Sequence, residues 1–78
     1  MKRIVVKFVS IFAEKMGREK IYELRDDATV EDLVEAIASE LEEVKTKGII
    51  YVNYRFPQEK QILREGDEVL VMPLFAGG

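Results

Sequence analysis

The apolar residues of this chain change period four times, between two and about 3.6, within 78 residues. Few architectures accommodate that alternation in so short a chain. In residues 2–9, Ile4, Val6 and Phe8 alternate with Arg3, Val5 and Lys7, which predicts a strand with the first set facing the core. Residues 10–16 bring Ile11, Phe12 and Met16 to near-helical spacing before Gly17, a short helical piece closed by a residue free to take a positive φ. Residues 19–25 read as a second strand, antiparallel to the first. Asp26, Asp27 and Ala28 then form a turn into the clearest helix, residues 29–41. Thr29 is its N-cap, Asp32 the capping-box partner, and Val30, Leu33, Val34, Ile37, Ala38 and Leu41 its single apolar stripe.

Beyond Gly48 the period returns to two. Residues 49–53 predict a third strand, and residues 54–65 a loop containing Pro57 and anchored by Ile62 and Leu63. Gly66 and Asp67 mark a turn, and residues 68–74 predict a last strand with Val69 and Val71 on one face and Leu70 and Met72 on the other. Apolar residues on both faces predict a central position in the sheet. Pro73 has no amide hydrogen to donate, so pairing is expected to fade there. The fold class that follows is α+β: a mixed sheet of four to five strands packed on one main helix, with no repeat and no internal linker. One domain spans residues 1–74, and residues 75–78 project as a flexible tail.

Two absences narrow the chemistry. With no cysteine and no histidine, the chain offers no disulfide framework, no structural zinc site of the usual ligands, no thiol nucleophile and no imidazole base. Its two serines, Ser10 and Ser39, lie outside any nucleophile-elbow sequence. A chain this short encloses a single core, so function belongs on its surface or at an end. The balance of 12 basic and 15 acidic residues gives a net charge of −3. The basic residues are scattered among acids, an ordinary solvated surface without the concentrated stripe of a nucleic-acid binder. The acidic face of the main helix reads the same way, and no metal site is expected. The apolar run at the N-terminus is too short for a signal core or a membrane span. A soluble, cytoplasmic protein with no nucleic-acid or membrane partner is expected.

The chain ends in Gly77-Gly78. At an average glycine frequency of about 7%, such a pair arises by chance in roughly one chain in two hundred, so a frayed terminus competes with a functional one. Position strengthens the functional reading, because the pair closes a tail that begins at a strand exit. Five extended residues reach at most about 17 Å. Glycines lack the Cβ that would block a narrow channel. The terminal carboxylate, with a reference pKa of about 3.5, is ionised at neutral pH and able to attack the α-phosphorus of ATP. The adenylate so formed is open to a sulfur or amine nucleophile. No phosphate-binding loop is present, so ATP must be bound by another enzyme.

Several features together resemble the MoaD and ThiS sulfur carriers of the ubiquitin-like β-grasp superfamily. They are the order of elements, the Asp27–Leu33 helix start Asp-Ala-Thr-Val-Glu-Asp-Leu, the Val52-Asn53 strand end, the Glu65-Gly66-Asp67-Glu68-Val69 turn, and Pro73 ahead of Ala76-Gly77-Gly78. The insertion at residues 10–17 and Pro73 look more like MoaD, the molybdopterin synthase small subunit. That resemblance implies that Gly78 is adenylated by a ubiquitin-activating-like enzyme, which uses ATP and Mg, and becomes a thiocarboxylate. The tail then enters the synthase large subunit to donate sulfur. This chain itself binds no cofactor and is a carrier, with catalysis supplied by its partners. By the same resemblance Gly77 and Ala76 pass through the partner channels, and Leu74 and Phe75 dock to the partner; the other reading of Phe75 is that it folds back on its own domain. Leu74 stands where a second proline is common in the family, and Tyr54 to Pro57 replace an Asn-Gly type of turn. A protein modifier joined to lysines, a carrier for thiamine or tRNA sulfur chemistry, and a plain binding module are the alternatives.

Overall fold

The computed structural model describes residues 1–75. Along the chain lie β1 (Lys2–Phe8), α1 (Ile11–Met16), β2 (Glu19–Leu24), α2 (Val30–Ala38), α3 (Val44–Lys47), β3 (Gly48–Val52) and β4 (Glu68–Pro73). The four strands form one sheet in the order β2-β1-β4-β3. β1 runs antiparallel to β2 and parallel to β4, and β3 runs antiparallel to β4. This is the expected mixed α+β sheet, with four strands among the described residues and β4 in the interior.

Alternation decides which face is covered. Ile4, Val6 and Phe8 of β1, Val52 of β3 and Val69 and Val71 of β4 are buried on the inner face. Val30, Leu33 and Ile37 of α2 meet them there. Each large aliphatic chain removed from water in this way contributes about 1.5–3 kcal/mol. The capping box at the start of α2 is present in full. The Asp32 amide donates to Thr29 Oγ1, and the Thr29 amide donates to the Asp32 carboxylate at 2.9 Å. The Thr29 amide, and with it the Thr29 hydroxyl, holds the Asp32 carboxyl below its ordinary value.

One charged side chain lies on the buried face. Lys2 shares the parity of Ile4, Val6 and Phe8 and is only 5% exposed. Its ammonium donates to the main-chain carbonyls of Asp26 (2.9 Å), Ala28 (3.1 Å) and Leu63. All three of its hydrogens thereby find acceptors, which is the condition for burying such a charge. The lysine ties the first strand to the turn before α2 and to the segment leading into β4.

The structure corrects several expectations. α2 ends at Ala38, and Leu41 is buried in the following turn, its amide bonded to the Ile37 carbonyl. A further helical turn, α3, fills residues that carried too short a pattern to register, with Val44 buried beneath it. Gly48 opens β3. A Cβ at Gly48 would lie 2.7 Å from the Val44 carbonyl oxygen, so this close approach of α3 to the strand requires glycine. Leu63 is buried as expected, but Ile62 is 55% exposed, because its backbone, bridged to Thr29, turns the side chain outward.

Where Tyr54 to Pro57 replace an Asn-Gly type of turn after β3, the chain still makes a tight turn without the glycine. Val52 and Arg55 exchange main-chain hydrogen bonds of 2.8 and 3.1 Å across Asn53 (φ 51°) and Tyr54 (φ 66°). Two successive left-handed residues make this a type I′ turn, a conformation that costs a tyrosine about 1–2 kcal/mol. Side-chain bonds oppose that cost. Asn53 Nδ2 donates to Asp67 Oδ1 at 2.9 Å, the Glu68 amide donates to Asn53 Oδ1 at 3.0 Å, and the Tyr54 hydroxyl donates to Glu68 Oε2 at 2.5 Å.

Candidate functional site: the exit of the last strand

β4 leaves the sheet between two neighbours of unequal length. On the β1 side, pairing ends where the Val9 amide donates to the Val71 carbonyl at 3.2 Å. On the β3 side, Met72 pairs with Ile49 and Pro73 with Gly48, and the Leu74 amide donates to the Lys47 carbonyl at 2.7 Å. Pairing therefore does not fade at Pro73. In an antiparallel ladder hydrogen-bonded and non-bonded pairs alternate, and Leu74 opposite Lys47 is bonded. Pro73 opposite Gly48 is then a non-bonded pair, and its missing hydrogen would have pointed to the side where β1 has already ended. The proline costs nothing there.

Leu74 is thus tied to the sheet through its backbone, at the end of the strand expected over residues 68–74, while its side chain is 48% exposed. Phe75, at 79% exposure, does not fold back on its own domain. Ala76, Gly77 and Gly78, the remaining candidate residues, lie outside the described residues. From the Leu74 anchor, the four residues 75–78 span at most about 14 Å. The reach is shorter than the sequence implied, and its origin is fixed by a paired strand.

The outer face of the sheet leads to this exit. Val5, Ile21, Ile49, Tyr51, Leu70 and Met72 stand on it by parity, and Ile21 is 56% exposed. Phe56, from the loop, leans on Tyr51 with ring centroids 4.8 Å apart. At the far end of β4, Lys7 Nζ lies 3.1 Å from the Glu68 carboxylate that accepts from Tyr54. The tyrosine hydroxyl and then the lysine hold the Glu68 carboxyl below its ordinary value, while that carboxylate raises both Lys7 and Tyr54. A concavity of about 750 Å³ lies beside this end, lined by Asn53, Arg55, Lys60, Arg64 and Asp67 among others. It is remote from the strand exit. Among the described residues no group of acidic side chains is placed to hold a metal, and no helix is long and apolar enough to cross a membrane.

What the geometry offers is an anchored strand end with exposed apolar side chains beside it. A mixed sheet in the order β2-β1-β4-β3, covered on one face by a main helix, defines a β-grasp protein of the ubiquitin-like class. Within that class the chain belongs to the ThiS family, whose family model matches residues 6–78. The chain is 35% identical to a molybdopterin synthase sulfur carrier subunit of Chlamydomonas reinhardtii, over 77% of this chain and 78% of that one. Its fold is similar to that of a candidate molybdopterin converting factor subunit 1 from Pyrococcus furiosus. That likeness has a TM-score of 0.82 and 30% identity, covering 96% of this chain and all of the other. A Helicobacter pylori structure, described as a complex of subunits 1 and 2 of molybdopterin-converting factor, shares the fold. Its TM-score is 0.66 at 21% identity, covering 97% of this chain and 99% of that one.

The structure brings Leu74 and Phe75 together at the exit, as the sequence implied. Lys47, whose carbonyl anchors Leu74, went unrecognised. Only strand pairing identifies it, since it lies 27 residues away in the sequence with no motif of its own.

Proposed function

We propose that this chain is the sulfur carrier subunit of a molybdopterin synthase. The observation that carries the proposal is its 35% identity to a sulfur carrier subunit of that enzyme, together with a family match that runs through Gly78. In this reading Gly78 is the reactive residue. An oxygen of its carboxylate attacks the α-phosphorus of ATP on a ubiquitin-activating-like enzyme that holds the nucleotide and Mg, and pyrophosphate leaves. A sulfur donor at the oxidation level of sulfide then displaces AMP, leaving one carboxylate oxygen replaced by sulfur. The large subunit of the synthase accepts the same tail and takes that sulfur. The chain supplies no acid, base or metal to these steps and acts as a carrier.

What the described residues supply is position. The Leu74 hydrogen bond sets the root of the tail, so the reactive end lies within about 14 Å of it. A fixed root lowers the entropy lost when a partner takes hold of the end. Gly77 and Ala76 allow close passage, and Phe75, exposed beside the outer face, is the apolar anchor for docking. The Helicobacter pylori pair supports a large-subunit partner by likeness of fold.

Intact-mass analysis of the protein from its native host tests the reading. A fraction with one oxygen exchanged for sulfur is expected, and it disappears when Gly78 is deleted or a residue is added after it. Isopeptide-linked remnants of this chain on the lysines of other proteins, residues 65–78 after tryptic cleavage at Arg64, with no thiocarboxylate, would assign the tail to protein modification instead.

A further inference from the structure

We propose that the free edge of β2 takes up an extended segment of a partner protein by strand addition, one that presents a basic, an apolar and a basic side chain at alternate positions. This surface is separate from the tail and does not rest on the carrier reading.

The backbone supplies the first half of the argument. β2 is a terminal strand of the sheet. The Phe8 amide donates to the Arg18 carbonyl at 2.9 Å, which sets the alternation along β1 and β2. Lys20, Tyr22 and Leu24 are then the residues bonded to β1. Glu19, Ile21 and Glu23, paired without hydrogen bonds to Lys7, Val5 and Arg3, direct their amides and carbonyls outward. A row of unpaired main-chain groups is a template for another strand. The opposite edge, β3, is less available. Arg55 occupies both main-chain groups of Val52, and the Gly48 amide is bonded to the Val44 carbonyl.

The side chains supply the second half. Glu19, Ile21 and Glu23 stand on the outer face, all three exposed, and neither glutamate forms an ion pair among the described residues. On its inner side this row already meets its complement, because β1 places Lys7, Val5 and Arg3 directly opposite it. The molecule itself demonstrates which row fits this edge. Opposite charges facing each other across strands are favourable and like charges unfavourable. Pairing with a second copy in the register that matches the two edges is disfavoured. Antiparallel pairing of two β2 strands centred on Ile21 would set Glu19 against Glu23 twice. β2 is also separated from β4 by β1, about 10 Å from the strand that carries the tail, so both surfaces can be occupied together.

The probe is a short synthetic peptide with arginine, valine and lysine at alternate positions and threonines between them, titrated into the isotope-labelled full chain. Amide resonances of Glu19, Ile21 and Glu23 are expected to shift, and affinity to fall as salt rises. Glu19→Gln with Glu23→Gln, which removes both negative charges while keeping the size and shape of the side chains, should weaken binding roughly tenfold. Glu19→Lys with Glu23→Lys should transfer preference to a peptide with glutamates in place of the basic residues. Should that variant fail to fold beside Lys7 and Arg3, the glutamine pair decides alone. Deleting Gly77 and Gly78 should leave binding unchanged. Failure of the basic peptide to bind, equal binding of the acidic peptide by the native chain, unchanged affinity in the glutamine variant, shifts that map away from β2, or a requirement for the terminal glycines would each overturn the proposal.

Discussion

Replacing Lys2 with methionine isolates the one buried charge among the described residues, because methionine keeps most of the aliphatic stem and removes the three donated hydrogens. The acceptors do not lose equally. The Ala28 carbonyl keeps the Leu63 amide as a partner at 3.1 Å, and the Asp26 carbonyl is only part-buried and regains water. The Leu63 carbonyl is buried and has no other partner among the described residues. An orphaned buried acceptor costs about 1–3 kcal/mol, and the lost charged bond to Asp26 adds roughly 1 kcal/mol after hydration. Relief from burying an ammonium offsets part of this, so a net loss of about 2 kcal/mol is expected. For a domain of this size the total stability is on the order of 4–12 kcal/mol, so the loss is a substantial share. Urea denaturation should show a lower midpoint at unchanged slope, and thermal unfolding a Tm lower by about 8–16 °C. Arg3→Met, one residue away on the outer face, serves as the control and should shift stability by less than about 0.5 kcal/mol. Equal stability of Lys2→Met and the native chain would refute the reasoning, since it would mean that water already satisfies these carbonyls.

Other outcomes follow from single contacts. Gly48→Ala puts a methyl group 2.7 Å from the Val44 carbonyl and should cost about 1–3 kcal/mol by urea denaturation, with exchange of the Val44–Gly48 amides rising first. Glu68 has a folded-state pKa depressed by Tyr54 and Lys7, so its contribution is present above the unfolded value near 4.5 and is lost as pH falls through the folded one. The stability gap between the native chain and Glu68→Gln should therefore hold near neutral pH and close in acid; a gap that persists in acid would contradict the assignment. Phe75→Ala, at a site 79% exposed, should leave stability within about 0.5 kcal/mol of native while weakening the complex with a synthase large subunit in calorimetry.

Much of this protein was legible in the sequence because its local signals agree. Alternation in β1 placed Ile4, Val6 and Phe8 inward, the Thr29-Asp32 pair marked the helix start, and apolar residues on both faces of β4 put it inside the sheet. The same alternation reaches back to Lys2, and a stricter reading would have placed that lysine inward too. A charge on a core-facing position argues against burial until its acceptors are known, and these come from residues 26, 28 and 63. The candidate tail was legible for a different reason: its glycines and its strand-ending proline carry their meaning in composition and order.

The sequence by itself determined the four strands, the short first helix and the start and buried face of the main one, and where a reactive end could be held out. Those properties depend on side-chain period and on residues near in the chain. Tertiary structure decided which strands are neighbours, that Pro73 loses no bond, that Lys47 anchors Leu74, and that Glu19, Ile21 and Glu23 face an open edge. Each depends on register between segments distant in sequence, where many pairings share one local pattern and the burial of the whole core selects among them.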